Sequence, residues 1–189
     1  IDDPCVMIID VPGTNYGRIR ISQFTAQTSR ELRQGVQKLI DNGTEGIILD
    51  LRGNPGGLLS ATVDVASEFL TDGLVTYEVD SRGKKDEWKV KKRGNFPTIP
   101  MVTLVDNFSA SGSEVLAGAL QDQGRSVVIG TNTFGKGSVN LLRGLSNGGG
   151  VYLTIGRWFT PNGRLIEDVG VEPDVIVEFE AGALGANPQ

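Results

Sequence analysis

The chain has 189 residues, 39% hydrophobic and 22% charged, with 26 glycines and a formal net charge of −5. That length supports one sizeable core and is short for two full domains. It contains no histidine and a single cysteine, Cys5, which excludes a Ser-His-Asp triad, a Cys-His dyad, an HExxH or thiolate zinc site, a histidine-held haem and any intrachain disulfide.

Nucleophilic catalysis would therefore need Ser, Thr or Lys with a base other than histidine, and a metal would need oxygen ligands. The acidic balance argues against broad binding of nucleic acid or anionic membrane. No run of about 18 apolar residues is present, so no membrane span is expected. The chain opens at Ile1 without Met or a signal-peptide pattern, and is expected to be a mature or excised fragment.

Cys5 to Ile9 reads as a short strand ended by Pro12-Gly13, and Gly17 to Ile21 as an alternating one. Ser29 to Asp41 places Leu32, Val36, Leu39 and Ile40 on one helical face, closed by Asn42-Gly43. Gly46 to Leu51 is an apolar run of the kind found in buried parallel strands. The Gly-rich loop Arg52 to Gly57 follows, then a helix with Leu59, Thr62, Val63, Ala66, Phe69 and Leu70 along one face. Leu74–Val79 and Asp86–Val90 predict a hairpin around Ser81-Arg82-Gly83, and Pro97 to Pro100 a rigid link. Met101 to Val105 predicts a second buried strand, Gly112 to Gln121 a helix, and Ser126 to Ile129 a third strand. Val139 to Phe179 is strand-and-turn rich, with a turn at Pro161-Asn162-Gly163. The alternation of strand and helix implies βαβ crossovers and a parallel core sheet. The tail after Glu180 is expected to fray.

Four segments carry candidate chemistry. Alone, the Gly-rich loop 52–57 reads as a strand-to-helix turn, although paired glycines can also present N–H groups to an anion. Ser109-Ala110-Ser111-Gly112-Ser113-Glu114 precedes a helix, and Ser111 with Glu114 fits a capping box. A serine there can also act as a nucleophile beside free N–H groups that stabilise an oxyanion, and the two readings are compatible. Gly130 to Gly137 nearly matches a P-loop, but Gly137 stands where a hydroxyl should meet Mg²⁺, and Ser138 to Leu142 reads as a strand. Arg82 to Arg93 holds seven Lys or Arg against Asp86 and Glu87. It reads first as a solvated hairpin face and second as a patch for an acidic partner.

Taken in order, these segments resemble the carboxyl-terminal processing proteases, the tail-specific family of serine peptidases with a Ser-Lys dyad. The resemblance runs from about Tyr16 to Val177 and is carried by Gly17–Phe24, Leu49–Gly57, Phe108–Glu114 with Ala117–Asp122, Thr133–Gly137 and Gly170–Asp174. It implies Ser111 as nucleophile and Lys136, 25 residues on (136 − 111), as general base. It further implies oxyanion donors from the backbone N–H groups of Gly112 and Gly57. The family's lysine-orienting Gln falls on Asn140, its usual Ala after the nucleophile is Gly112, and Asp122 matches an acidic position of the pattern. A neutral lysine base requires burial to lower its pKa, for which Phe134 and the adjoining glycines are candidate surroundings.

The implied fold is α/β, a crotonase-like or Clp-protease-like core of βαβ units with β-rich additions, with a peptidase domain over residues 1–180. The implied activity is endopeptidase cleavage near protein C-termini, without cofactor or metal, on protein or peptide substrates bound by their C-termini. The resemblance also implies a PDZ domain in the parent chain, from which residues 1–11 would be the returning strand, and a periplasmic, envelope or thylakoid-lumen location. The alternatives are a non-catalytic peptide-binding module on the same fold and a nucleotide binder using Gly130 to Lys136.

Overall fold

The computed structural model describes residues 4–91 and 94–178. The tail 181–189, expected to fray, lies outside the described residues, as do Lys92 and Arg93 of the basic segment. Ten strands and three helices follow the predicted order closely among the described residues.

The main sheet is built from β1 (Val6–Asp10), β2 (Tyr16–Ile21), β3 (Gly46–Asp50), β6 (Met101–Val105), β7 (Val127–Gly130) and β10 (Val175–Ile176), in spatial order β1-β2-β3-β6-β7-β10. From β2 to β10 every neighbour is parallel, and only β1 runs antiparallel, on β2. The connections explain this. Helices α1 (Thr28–Asp41), α2 (Leu59–Phe69) and α3 (Gly112–Asp122) each lead from one parallel strand toward the next, the βαβ arrangement that parallel pairing requires.

Helix α1 buries Leu32, Val36 and Leu39, spaced four and three residues apart, and leaves its Lys and Gln positions to solvent. It ends where Gly43 takes φ +83° and donates its N–H to the Ile40 carbonyl at 2.9 Å, while Thr44 donates to the Leu39 carbonyl at 3.0 Å. Helices α2 and α3 are nearly all buried and pack on each other, with Phe69, Leu116 and Leu120 fully enclosed.

A second, antiparallel sheet has the order β5-β4-β9-β8, from β4 (Leu74–Asp80), β5 (Lys85–Lys89), β8 (Ser138–Gly144) and β9 (Gly150–Phe159). Its centre is aromatic. Tyr77 and Phe159, opposite each other on β4 and β9, stack at 5.2 Å, and Trp88 meets Trp158 edge-on at 5.4 Å. The β4–β5 hairpin is an insertion between α2 and β6. Arg125 ties its two roots together by donating to the carbonyls of Phe69 (3.0 Å), Phe96 (3.0 Å) and Ile99 (2.7 Å). The basic face of that hairpin is interleaved with acids: Lys84 meets Asp86 at 2.7 Å, Lys85 meets Glu87 at 3.0 Å, and Lys91 meets Asp64 at 2.8 Å. Among the described residues it is a solvated surface paired with acids of the hairpin and of α2.

The loops that leave the C-terminal ends of β3, β6 and β7 emerge at one edge of the parallel sheet, where sites of open α/β folds are formed. Those loops are 51–58, 106–111 and 131–137.

Candidate active site

Ser111 sits at the sharp turn between β6 and α3, with φ +55° and ψ −112°. Only one other described non-glycine residue has positive φ. Such a conformation costs of order 1–3 kcal/mol and persists where the surroundings over-determine it. Here they do. The Ser111 N–H donates to Glu114 Oε2 at 2.7 Å, the Ala110 N–H to the Asn54 carbonyl at 3.0 Å, and the Ser113 N–H to the Ala110 carbonyl at 3.1 Å. The flanking serines are structural. Ser109 donates its hydroxyl to the Leu51 carbonyl at 2.9 Å, and Ser113 donates its hydroxyl to the Asn54 carbonyl at 3.0 Å.

The glycine loop closes on this turn. Gly56 has φ +104°, and a Cβ there would lie 2.8 Å from both the Ala110 carbonyl oxygen and Ser111 Cβ. Gly57 has φ +145°, and its Cβ would collide with the Phe24 carbonyl oxygen at 2.2 Å. Both positions therefore require glycine. Phe24 donates its N–H to Gly56 and accepts the Leu58 N–H. That pairing turns the Gly57 N–H to the opposite side of the bridge. Gly112 is the first residue of α3, so its N–H has no intrahelical partner. Asn54, fully buried, joins the pieces: its amide donates to the Ile21 carbonyl at 2.9 Å and its Oδ1 accepts the Gly56 N–H at 2.8 Å.

The lysine loop is tied to the serine turn through one carboxylate. Glu114 is fully buried. Its Oε1 accepts the Thr133 hydroxyl and the Gly135 N–H, both at 2.6 Å. Its Oε2 accepts the Lys136 N–H at 2.9 Å as well as that of Ser111. Four donors satisfy a carboxylate that burial would otherwise penalise. The Phe134 N–H adds a bond to the Ser109 carbonyl at 3.0 Å. Gly137 is held in turn by Glu167 Oε2 at 2.7 Å.

The side chain of Lys136 is a different matter. It is exposed, and Phe134, expected to cover it, is itself 65% exposed. Among the described residues no hydrogen bond joins Lys136 to the Ser111 hydroxyl. The burial expected for a neutral lysine is thus not in place, because the loop turns its backbone inward to Glu114 and its side chains outward. Asn140 does not reach the lysine either. Its amide donates to Ser138 Oγ at 3.0 Å and its Oδ1 accepts the Thr154 hydroxyl at 2.8 Å, bracing β8 on β9. Asp122 lies at the far end of α3, where it pairs with Arg164 and accepts the Asn162 N–H at 2.8 Å, fixing the 161–163 turn.

Glycine-rich segment 130–137 is no phosphate cradle. The N–H groups of Gly135, Lys136 and Gly137 are engaged by Glu114 and Glu167, and a strand begins at Ser138. Among the described residues no group of three or more Asp, Glu or Cys is placed to hold a metal, and no helix is long and apolar enough to cross a membrane.

The sequence places Gly57, Ser111 with Gly112, and Lys136 in three separate loops, and the structure brings those loops to one edge of the sheet. Sequence reasoning missed Glu114 as the joint of the last two, reading it only as half of a capping box. It also missed Asn54 and Thr133, whose partners lie 19 to 59 residues away.

A strained serine at a helix start, with two unengaged N–H groups nearby on a parallel α/β sheet, is an arrangement suited to acyl transfer. The chain belongs to peptidase family S41, whose model matches residues 15–177. It is 40% identical to a carboxyl-terminal-processing protease of Synechocystis over 167 residues, 88% of this chain and 39% of that protein. It is 35% identical to a carboxy-terminal processing protease of Bacillus subtilis, over 90% of this chain and 36% of that protein. Among solved structures, the photosystem II D1 C-terminal processing protease superposes with a TM-score of 0.86 at 34% identity, covering 94% of this chain and 49% of that one. The tricorn protease shares the fold, with a TM-score of 0.57 at 20% identity. The chain spans about two fifths of the length of these curated relatives.

Proposed function

We propose that this chain is the catalytic core of a serine endopeptidase that cleaves proteins near their C-termini, with Ser111 as nucleophile and Lys136 as general base. The observation that carries the reading is the Glu114 carboxylate, which binds the backbone of Ser111 and of Gly135-Lys136 at once. It fixes the two motif loops against each other while Gly56 packs on the serine turn.

In the reaction, Ser111 Oγ attacks the scissile carbonyl carbon as its proton passes to neutral Lys136 Nζ. The carbonyl oxygen becomes an oxyanion that accepts the N–H groups of Gly57 and Gly112. Collapse breaks the C–N bond, and Lys136 returns the proton to the departing amine. Water then attacks the acyl-enzyme, giving a proton to Lys136, and collapse restores Ser111 with its hydroxyl proton. Because Lys136 is exposed in the free chain, its desolvation falls to bound substrate or to parent-chain segments such as a PDZ domain. A location in the periplasm, envelope or thylakoid lumen fits the bacterial and chloroplast relatives.

The exposed lysine is also the observation that favours a non-catalytic peptide-binding module. One experiment decides. A peptide substrate is offered with an activated acyl probe, and covalent adducts are read by mass spectrometry. The endopeptidase reading expects an adduct on Ser111 that is absent in Ser111→Ala and strongly reduced in Lys136→Ala. No adduct and no cleavage over pH 6–10 overturns it.

A further inference from the structure

At the C-terminal edge of the main sheet, three guanidinium groups surround one fully buried carboxylate, that of Asp50. Arg52 grips it bidentately, Nε to Oδ1 at 2.8 Å and a terminal nitrogen to Oδ2 at 2.7 Å. Arg18 Nε stands 4.0 Å from Oδ2. Arg20 lies directly opposite Asp50 in the register of β2 on β3, and makes no hydrogen bond or ion pair among the described residues. A second acid, Asp106, accepts the N–H groups of Gly53 (2.9 Å) and Phe108 (3.0 Å) on Oδ1 and its charge acts on Arg52. Three guanidinium groups therefore stand against two carboxylates, a surplus of one positive charge.

That surplus opens into a cavity of about 600 Å³, lined by Arg20, Arg52, Asp106, Asn107, Phe108 and Thr131. Its walls are the first residues of the three loops that carry Gly57, Ser111 and Lys136 at their other ends. Phe108, 66% exposed, gives it an apolar side. A half-buried arginine lacking a carboxylate, beside an exposed aromatic ring, suits a ligand with an anionic end and an apolar body.

We infer that this cavity is a substrate subsite of the peptidase, in which Arg20 receives a carboxylate of the bound peptide and Phe108 packs on the adjoining apolar residue. The inference rests on the peptidase reading above and adds a preference to it. The carboxylate can come from an Asp or Glu side chain or from the peptide's own C-terminus, and the chemistry at Arg20 is the same.

Binding is measured on the Ser111→Ala protein with fluorescein-labelled peptides of one apolar sequence. One peptide is neutral with an amidated C-terminus. A second set is amidated with a single Asp placed at each position in turn. The third is neutral with a free C-terminal carboxylate. Cleavage of the same peptides by the unmodified protein is followed in parallel. A carboxylate-bearing form is expected to bind about tenfold more tightly than the neutral one, as for a hydrogen-bonded charged pair. The preference should fall as salt is raised and vanish in Arg20→Gln, with Arg20→Lys intermediate because it keeps the charge without the fork. Thermal unfolding of both variants separates misfolding from loss of recognition. Equal binding of all forms, including none, or a preference that survives in folded Arg20→Gln, overturns the subsite. Absence of cleavage alongside discriminating binding strikes only the peptidase reading.

Discussion

The two halves of the candidate dyad are built differently. On the nucleophile side the N–H groups of Ala110, Ser111 and Ser113 are all engaged, those of Gly57 and Gly112 are left for an oxyanion, and Ser111 is held at positive φ by Glu114, Asn54 and Gly56. On the base side the backbone is as firmly tied, but the lysine side chain projects into solvent next to an exposed phenylalanine. The first half is preorganised within the chain. The second is preorganised only as far as its main chain, and its electrostatic surroundings have to arrive with something else. Geometry can be stored in hydrogen bonds that a short chain makes for itself; desolvation needs a cover.

Substitutions can break this contrast. The largest effect is expected at Glu114. Glu114→Ala leaves three backbone N–H groups and the Thr133 hydroxyl without their acceptor, and should lower stability by about 3 kcal/mol or more. Thermal unfolding and peptidase assays would show both halves failing together. If stability were unchanged, the joint would not be Glu114.

Next is Gly112. A Cβ there would sit 2.6 Å from Thr62 Oγ1 and 3.1 Å from the Phe24 ring. Gly112→Ala should cost about 1–2 kcal/mol as a small overpacking, and Thr62→Ala should recover part of it. A double-mutant cycle in urea measures the coupling, and strict additivity would refute it.

Ser111→Gly should act in the opposite direction. Relief of the positive φ outweighs a cap loss of a few tenths, so the variant should be more stable by about 1 kcal/mol and inactive. Denaturant midpoints at equal slope are the check.

Acid titration addresses the floor of the nucleophile half. Burial pushes Asp50 up, but the Arg52 hydrogen bonds, with the charges of Arg52 and Arg20, more than reverse this and hold it below the ordinary carboxylate range. A depressed folded pKa means that the unfolded chain binds the proton first. The stabilisation is complete above the unfolded value near ~4 and is lost as pH falls through the folded one. Urea unfolding from pH 7 to 2 should show that loss, and Asp50→Asn should lessen it.

The smallest stability effect belongs to the base half. Lys136→Met should change unfolding free energy by less than about 0.5 kcal/mol, as for other exposed positions, while abolishing peptidase activity. A large destabilisation would mean that the side chain is packed after all, and the contrast would fall.

Most of the main sheet was legible because its signals are local. Apolar runs such as Gly46–Asp50 and Met101–Val105, and the 3.6-residue spacing of α1, need no knowledge of partners. The Ser111 turn was legible from its motif, and so was the strand that rules out a P-loop. Of the second sheet only the β4–β5 hairpin was, since Tyr77 and its partner Phe159 lie 82 positions apart (159 − 77) and neither strand announces its mate. Glu114 hid behind a local role. S-x-x-E predicts a capping box, and the two bonds to Gly135 and Lys136 appear only once β7 has brought the lysine loop home. The exposure of Lys136 was misjudged because a motif fixes spacing, whereas burial is set by whatever surrounds it.

Arg125 has a consequence for how this fold can vary. By clasping the end of α2 and the approach to β6 with one guanidinium, it makes residues 70–95 a closed handle on the molecule. The handle's mouth stays the same width whatever its length, and lengthening a closed loop carries only a logarithmic entropy penalty. The tip around Ser81-Arg82-Gly83 is therefore a place where new sequence can be hung without shifting β6, and so without moving the serine turn at its end.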